Sequence, residues 1–279
     1  MWRVGIASIL LGGLMWHGPA EKQPVQGPMR PSARTNYLAD RLADTVEFQG
    51  FDDPRMTLQD ALEYLTDRYD LSFDVDEKAF AKAIGKDKPK SVLQDTIASP
   101  PLQKMRAVGL ESVLRKILAR VDVPSGATYL IHKGQIVITT QAAASEEVLG
   151  DSKLPLPPLV HRQMQKRLLR DALDEVAELT DANIVLDESV GEKAKETVTA
   201  RFLNTPVDTA VRILANKANL SMVRVDNVLY VTTPEKADEL REELAQEKKL
   251  NAHKRMPLAD EGVKKGDEGV KKGTKEKEK

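Results

Sequence analysis

Leu58-Gln59-Asp60-Ala61-Leu62 returns as Leu169-Arg170-Asp171-Ala172-Leu173, 111 positions further along the chain. The correspondence runs on to Asp76-Glu77 against Asp187-Glu188, with Phe73 and Val75 falling on Ile184 and Leu186. A second block sets Leu110, Val113, Leu114 and Ile117 against Val207, Ala210, Val211 and Leu214 at an offset of 97, which makes residues 78–99 the site of a 14-residue insertion in the first copy. A third block pairs Ile136-Val137-Ile138-Thr139-Thr140 with Leu229-Tyr230-Val231-Thr232-Thr233 at an offset of 93. Three blocks in one order mark a duplication, and a duplication sets domain boundaries by itself.

Each copy reads as strand, helix, strand, strand, helix, strand, strand. Leu58, Ala61, Leu62 and Leu65 recur at i, i+3, i+4 and i+7, as do Leu169, Ala172, Leu173 and Val176, so each set lies on one helical face. Thr57 is a suitable N-cap. Leu110, Val113, Leu114 and Ile117, matched by Val207, Ala210, Val211 and Leu214, give the second helix of each copy. Thr205-Pro206 predicts its start in the second copy, as an N-cap followed by proline in the first turn. Strands are expected at residues 45–51, 159–163, 183–187, 198–202, 222–225 and 228–232. Asp226-Asn227 and Lys133-Gly134 read as two-residue hairpin turns. Helices this short are marginal alone in water. Four or five apolar side chains per helix, at about 1.5 to 3 kcal/mol each, must therefore be buried against the strands.

The sequence divides as follows: residues 37–141 form the first module, residues 142–157 a linker, and residues 158–233 the second module. Residues 1–20 read as a signal peptide, with Arg3, an apolar run of thirteen residues from Val4 to Trp16, and small residues at Gly18 and Ala20. The run is shorter than the roughly 20 residues that span a bilayer. The expectation is export to the periplasm with no stable membrane span after cleavage; an uncleaved N-terminal anchor is the alternative. Residues 21–36 read as a disordered spacer and residues 234–250 as a polar helix with a thin stripe of Ala237, Leu240 and Leu244. Residues 251–279 read as a disordered lysine-rich tail containing an immediate repeat of Asp-Glu-Gly-Val-Lys-Lys-Gly. From Lys248 onward the net charge is +5, which leaves −7 for residues 21–247, an acidic body with a basic tail.

Composition removes several function classes. Overall charge is −1, whereas a domain that binds nucleic acid needs a basic excess. No nucleic-acid partner is expected. Cysteine is absent, which excludes disulfides, thiol catalysis and lipoprotein acylation. Aromatic residues are only 4% of the chain, a poor supply for an aromatic-lined pocket. The histidines at 17, 132, 161 and 253 have no second ligand at helical spacing, and His132 beside a hairpin turn reads as a surface residue. Asp76-Glu77 and Asp187-Glu188 could suggest acid and base roles, but each follows a strand and reads more simply as a cap for the next turn. No nucleophile elbow or phosphate loop occurs. No catalytic, cofactor-binding or metal-ligating residue is therefore expected, and the chain is not expected to be an enzyme.

The order of Leu-x-Asp-Ala-Leu, an alternating strand ending in Asp, a Val-rich strand, a second amphipathic helix and a hairpin closing in Val/Ile-Thr-Thr resembles the short N-terminal domain shared by secretins and TonB-dependent transducers. The likeness is greatest over residues 169–233, through Asn183-Ile184-Val185-Leu186-Asp187 and Val228-Leu229-Tyr230-Val231-Thr232-Thr233. It implies an α+β fold of two tandem small βαββαββ modules, each with two βαβ halves and helices packed between small sheets. It further implies work by contact with neighbouring subunits, secretion substrates or inner-membrane regulators. Residues after 233 are polar and lysine-rich, so the resemblance implies a relative without the secretin barrel. The expected partners are envelope proteins, and homo-oligomers fit as well. A small open sheet leaves edge strands able to accept another strand, although Lys195, Glu196 and Arg201 could blunt one of them. The alternatives are a module binding glycan or a small ligand, and a hydrolase.

Overall fold

The computed structural model describes residues 31–85 and 91–255. The expected signal peptide, Lys86-Asp87-Lys88-Pro89-Lys90 and the part of the expected tail beyond Arg255 lie outside these residues. The fold is mixed α+β with small sheets. Its first half contains α1 (Pro31–Ala43), β1 (Thr45–Phe48), α2 (Leu58–Tyr69), β2 (Phe73–Val75), α3 (Glu77–Ile84), a 3-10 turn at Val92–Gln94, β3 (Met105–Gly109), α4 (Leu110–Leu118), β4 (Ala127–His132) and β5 (Gln135–Thr140). After α5 (Gln141–Leu149) come β6 (Leu159–Leu168), α6 (Leu169–Thr180), β7 (Asn183–Leu186), β8 (Thr197–Pro206), α7 (Val207–Lys217), β9 (Ser221–Val225), β10 (Val228–Thr232) and α8 (Pro234–Arg255).

The sheets are β1-β3, β2-β5-β4, β6-β8 and β7-β10-β9. Within the three-stranded sheets β2 and β7 run parallel to β5 and β10, while β4 and β9 run antiparallel to them. All sixteen stripe residues named above are buried. Leu58, Ala61, Leu62 and Leu65 join Leu110, Val113, Leu114 and Ile117 in one core. The corresponding residues of α6 and α7 form another.

Local signals act where they were expected. Thr57 accepts from the Asp60 amide at 3.2 Å while Asp60 accepts from the Thr57 amide at 3.0 Å, closing a reciprocal cap on α2. Thr57→Ala should lower stability by about 1 kcal/mol in urea unfolding, with the midpoint shifted and the slope unchanged. Asp76 and Asp187 cap the turns that follow their strands, accepting from Ala79 and Ser189 amides. Both hairpins turn where expected, with positive φ at Lys133, Gly134 and Asp226. Left-handed residues close α2 at Asp70 and α6 at Asp181, and bulge β3 at Ala107 and β8 at Asn204. Gly50 is required where it stands: φ is +84° and a Cβ there would lie 2.4 Å from the Leu102 carbonyl oxygen.

Several expectations need correction. α1 starts at Pro31, inside the expected spacer and ahead of Tyr37, because Leu38, Ala39 and Leu42 are buried and the helix packs on α4 and β6. The expected linker at 142–157 holds most of α5, capped by Thr140, with Ala144 and Ser145 buried. Helix α3 occupies part of the insertion, where no helix was foreseen. Strands β6 and β8 run ten residues each, well past 159–163 and 198–202. Thr205 is therefore in β8, with its hydroxyl on the Leu203 backbone, and Pro206 takes the cap position of α7 without a side-chain bond. The last helix runs to Arg255, beyond residue 250.

The halves are joined by specific bonds. Asn204 on β8 takes the Ile131 amide of β4 at 2.9 Å and gives its own side-chain amide to the Ile131 carbonyl at 3.1 Å. Asn36 on α1 donates to Gln163 at 2.7 Å, and Arg162 on β6 pairs with Asp40 at 2.8 Å and also with Glu175. Leu203, half-buried, packs against the first core.

Candidate functional site

Three of the four ends of the two three-stranded sheets can be followed residue by residue. The outer edge of β4 is met by Asn204. That of β9 is flanked by α8, where Arg241 donates to the Met222 carbonyl at 3.2 Å. The outer edge of β2 instead opens on a groove of about 890 Å³, walled by Gln59, Leu62, Glu63 and Thr66 of α2, by Leu93, and by Glu77 and Lys78 at the start of α3. Leu93 belongs to the insertion, which is held against α2 by Gln94 donating to Gln59 at 3.0 Å and by the Leu58 amide on the Asp95 carbonyl. The insertion thus builds one wall of the groove.

Edge chemistry follows from strand periodicity. The Ser72 carbonyl accepts from Ile136 and the Asp76 amide donates to Ile138, so residues 72, 74 and 76 direct their backbone groups at β5. Phe73 and Val75 direct theirs outward, into the groove. The Val75 amide is met there by the Asp74 carboxylate at 2.9 Å. Phe73 and Val75 side chains are half-buried against the first core, while that of Asp74 is exposed. β7 lies at the corresponding end of the second sheet, where Val185 takes the place of Asp74 and is 39% exposed.

A second cluster lies at the junction of the halves. Tyr129 donates to Glu111 at 2.7 Å, Arg115 lies 3.3 Å from the same carboxylate, and the His161 ring stands 5.3 Å from that of Tyr129. These four side chains line a cavity of about 190 Å³ together with Leu156, Pro157, Pro158 and Leu159. Burial raises the Glu111 carboxyl, and burial together with the adjacent Glu111 pushes Tyr129 well up. Burial, with Arg115 adding to it, lowers His161 to about 3. His161 is thus a neutral acceptor, taking the Asn204 amide on Nδ1 at 3.2 Å. Its expected place was the strand at 159–163, with no sign that it would be internal, since one histidine carries no periodic signal of burial.

The duplication supplies a control for this junction. Glu111, Tyr129 and Ile131, covered by the second half, correspond to Asp208, Met222 and Arg224. Asp208 and Arg224 form an ion pair with half-exposed side chains, so the matching face of the second half is a charged surface.

His132, Asp76 and Asp187 have structural partners, while His17 and the His253 side chain lie outside the described residues. His132 is partly exposed and lies 3.0 Å from Glu147. Asp76 is occupied by the Ala79 amide and by Thr139 at 3.3 Å, and Asp187 by the Ser189 amide, Thr232 at 2.6 Å and Lys236 at 2.8 Å. Those bonds, that with Lys236 foremost, hold Asp187 far below the usual carboxylate range. Phe48, Phe51, Tyr64 and Tyr69 meet edge to face at 5.1 to 6.5 Å, so four of the few aromatic rings pack on one another in the first core instead of lining a pocket. Among the described residues no group of three or more His, Asp or Glu could hold a metal ion, and no helix is long and apolar enough to cross a membrane. No protein-family model matches this chain, and no curated protein matches it.

Proposed function

We propose that this chain is an exported, non-enzymatic protein-interaction or scaffold protein of the cell envelope, of the secretin N-domain kind. In this reading it consists of two tandem βαββαββ modules and serves as an accessory part of a secretion or transport assembly. The observation that carries the reading is the β2 edge, where Phe73 and Val75 turn backbone groups into an open groove. Unpaired strand edges are satisfied by an added strand, and this is a general mode of protein docking. The engagement of Asp76 and Asp187 and the packing of the aromatics support docking over hydrolysis or glycan binding.

Photocrosslinking in cells tests it. A photoreactive amino acid at position 74 should yield a discrete adduct with an envelope protein in the periplasmic fraction, absent when the same group is placed at position 224. Retention of the protein in the cytosol, or one adduct pattern from both positions, would refute the proposal.

A further inference from the structure

Resting on the docking reading, we infer that the β2 edge takes an extended segment of a partner protein that bears lysine or arginine, with one cation set opposite Asp74. Among the described residues the groove beside β2 is lined by four carboxylates, Glu63, Asp74, Asp76 and Glu77, against one cation, Lys78. Asp76 is spoken for by its cap and by Thr139, which leaves three acids around the edge.

Asp74 makes the charge of the partner a structural matter. Its Oδ1 accepts the Val75 amide at 2.9 Å, the donor that an incoming strand would need. A neutral or acidic strand that displaced Asp74 would trade one hydrogen bond for another and leave the carboxylate beside its own acceptors. A strand with a cation at that register gives the carboxylate a new partner as the Val75 amide passes to a strand carbonyl. Strand addition and charge pairing are thereby one event. The half-buried Phe73 and Val75, with Leu62 and Leu93 on the walls, leave room for apolar side chains alternating with the cations. At the other sheet end Val185 stands where Asp74 does, so the preference belongs to the first half alone.

The test uses the full chain, isotope-labelled for amide NMR, and two capped heptapeptides, one alternating lysine with valine and one alternating glutamate with valine. The lysine peptide should shift and protect the Phe73 and Val75 amides, should weaken about fivefold with Asp74→Asn, and should weaken further in 0.5 M salt as screening shortens. Asp74→Asn keeps an acceptor for Val75 and so preserves the fold. Equal shifts of the same amides by the glutamate peptide, or full affinity in Asp74→Asn, would overturn the charge assignment and leave the docking edge standing. Failure of both peptides to move Phe73 and Val75 would remove the edge itself and the docking reading with it.

Discussion

Leu173→Asp should unfold the whole described body, not only the half that contains it. Leu173 is 2% exposed in the second core, which it shares with Val176 and the α7 stripe. Truncating such a leucine costs about 2 to 5 kcal/mol, and a carboxylate left there without a partner adds several more. That sum approaches the total stability of an ordinary domain, about 5 to 15 kcal/mol. The loss spreads because the second half covers the first. Asn204 holds both backbone groups of Ile131, Leu203 packs against the first core, and His161 lies over Tyr129. Hydrogen exchange with mass spectrometry should find the amides of α4 and β4 exchanging as freely as those of α6 and α7. Protection of α4 and β4 at the wild-type level would show instead that the halves stand independently.

Acid should weaken the wild type through His161. The groups that face this ring are Arg115 and Glu111 of α4 and Tyr129 of β4. In the fold His161 titrates at about 3, below the ordinary histidine value of 6.5. Between those values the unfolded chain binds a proton that the folded chain refuses, so stability present above pH 6.5 is lost as the pH falls, and the slope ends near pH 3. Glu111, raised by burial, contributes with the opposite sign, but equally in wild type and in a variant that retains it. Asn at position 161 can still accept the Asn204 amide and does not titrate. From pH 7 to pH 5 the wild type should therefore lose about 2 kcal/mol more than His161→Asn in urea unfolding. Parallel pH dependences in the two proteins would show that His161 is not held neutral at the junction.

The stripes of α2, α4, α6 and α7 were legible because helical spacing writes burial into every third and fourth residue, and the paired carboxylates announced caps because a cap acts within three residues. The repeat also showed where the insertion falls, though not that its Leu93 would wall a groove. Helix α5 buries only Ala144 and Ser145, so no apolar stripe marked it, and α1 finds its cover on β6, more than a hundred residues away. The sequence alone thus determined the secondary structure that each local pattern could stabilise, and the absence of material for thiol or aromatic-pocket chemistry. Only the tertiary structure decided that His161 is internal, that Asn204 locks Ile131 across 73 positions, and that β2 is left open beside acids. Hydrogen bonds between distant segments follow no period, so nothing along the chain foretells which backbone groups they will satisfy and which they will leave open.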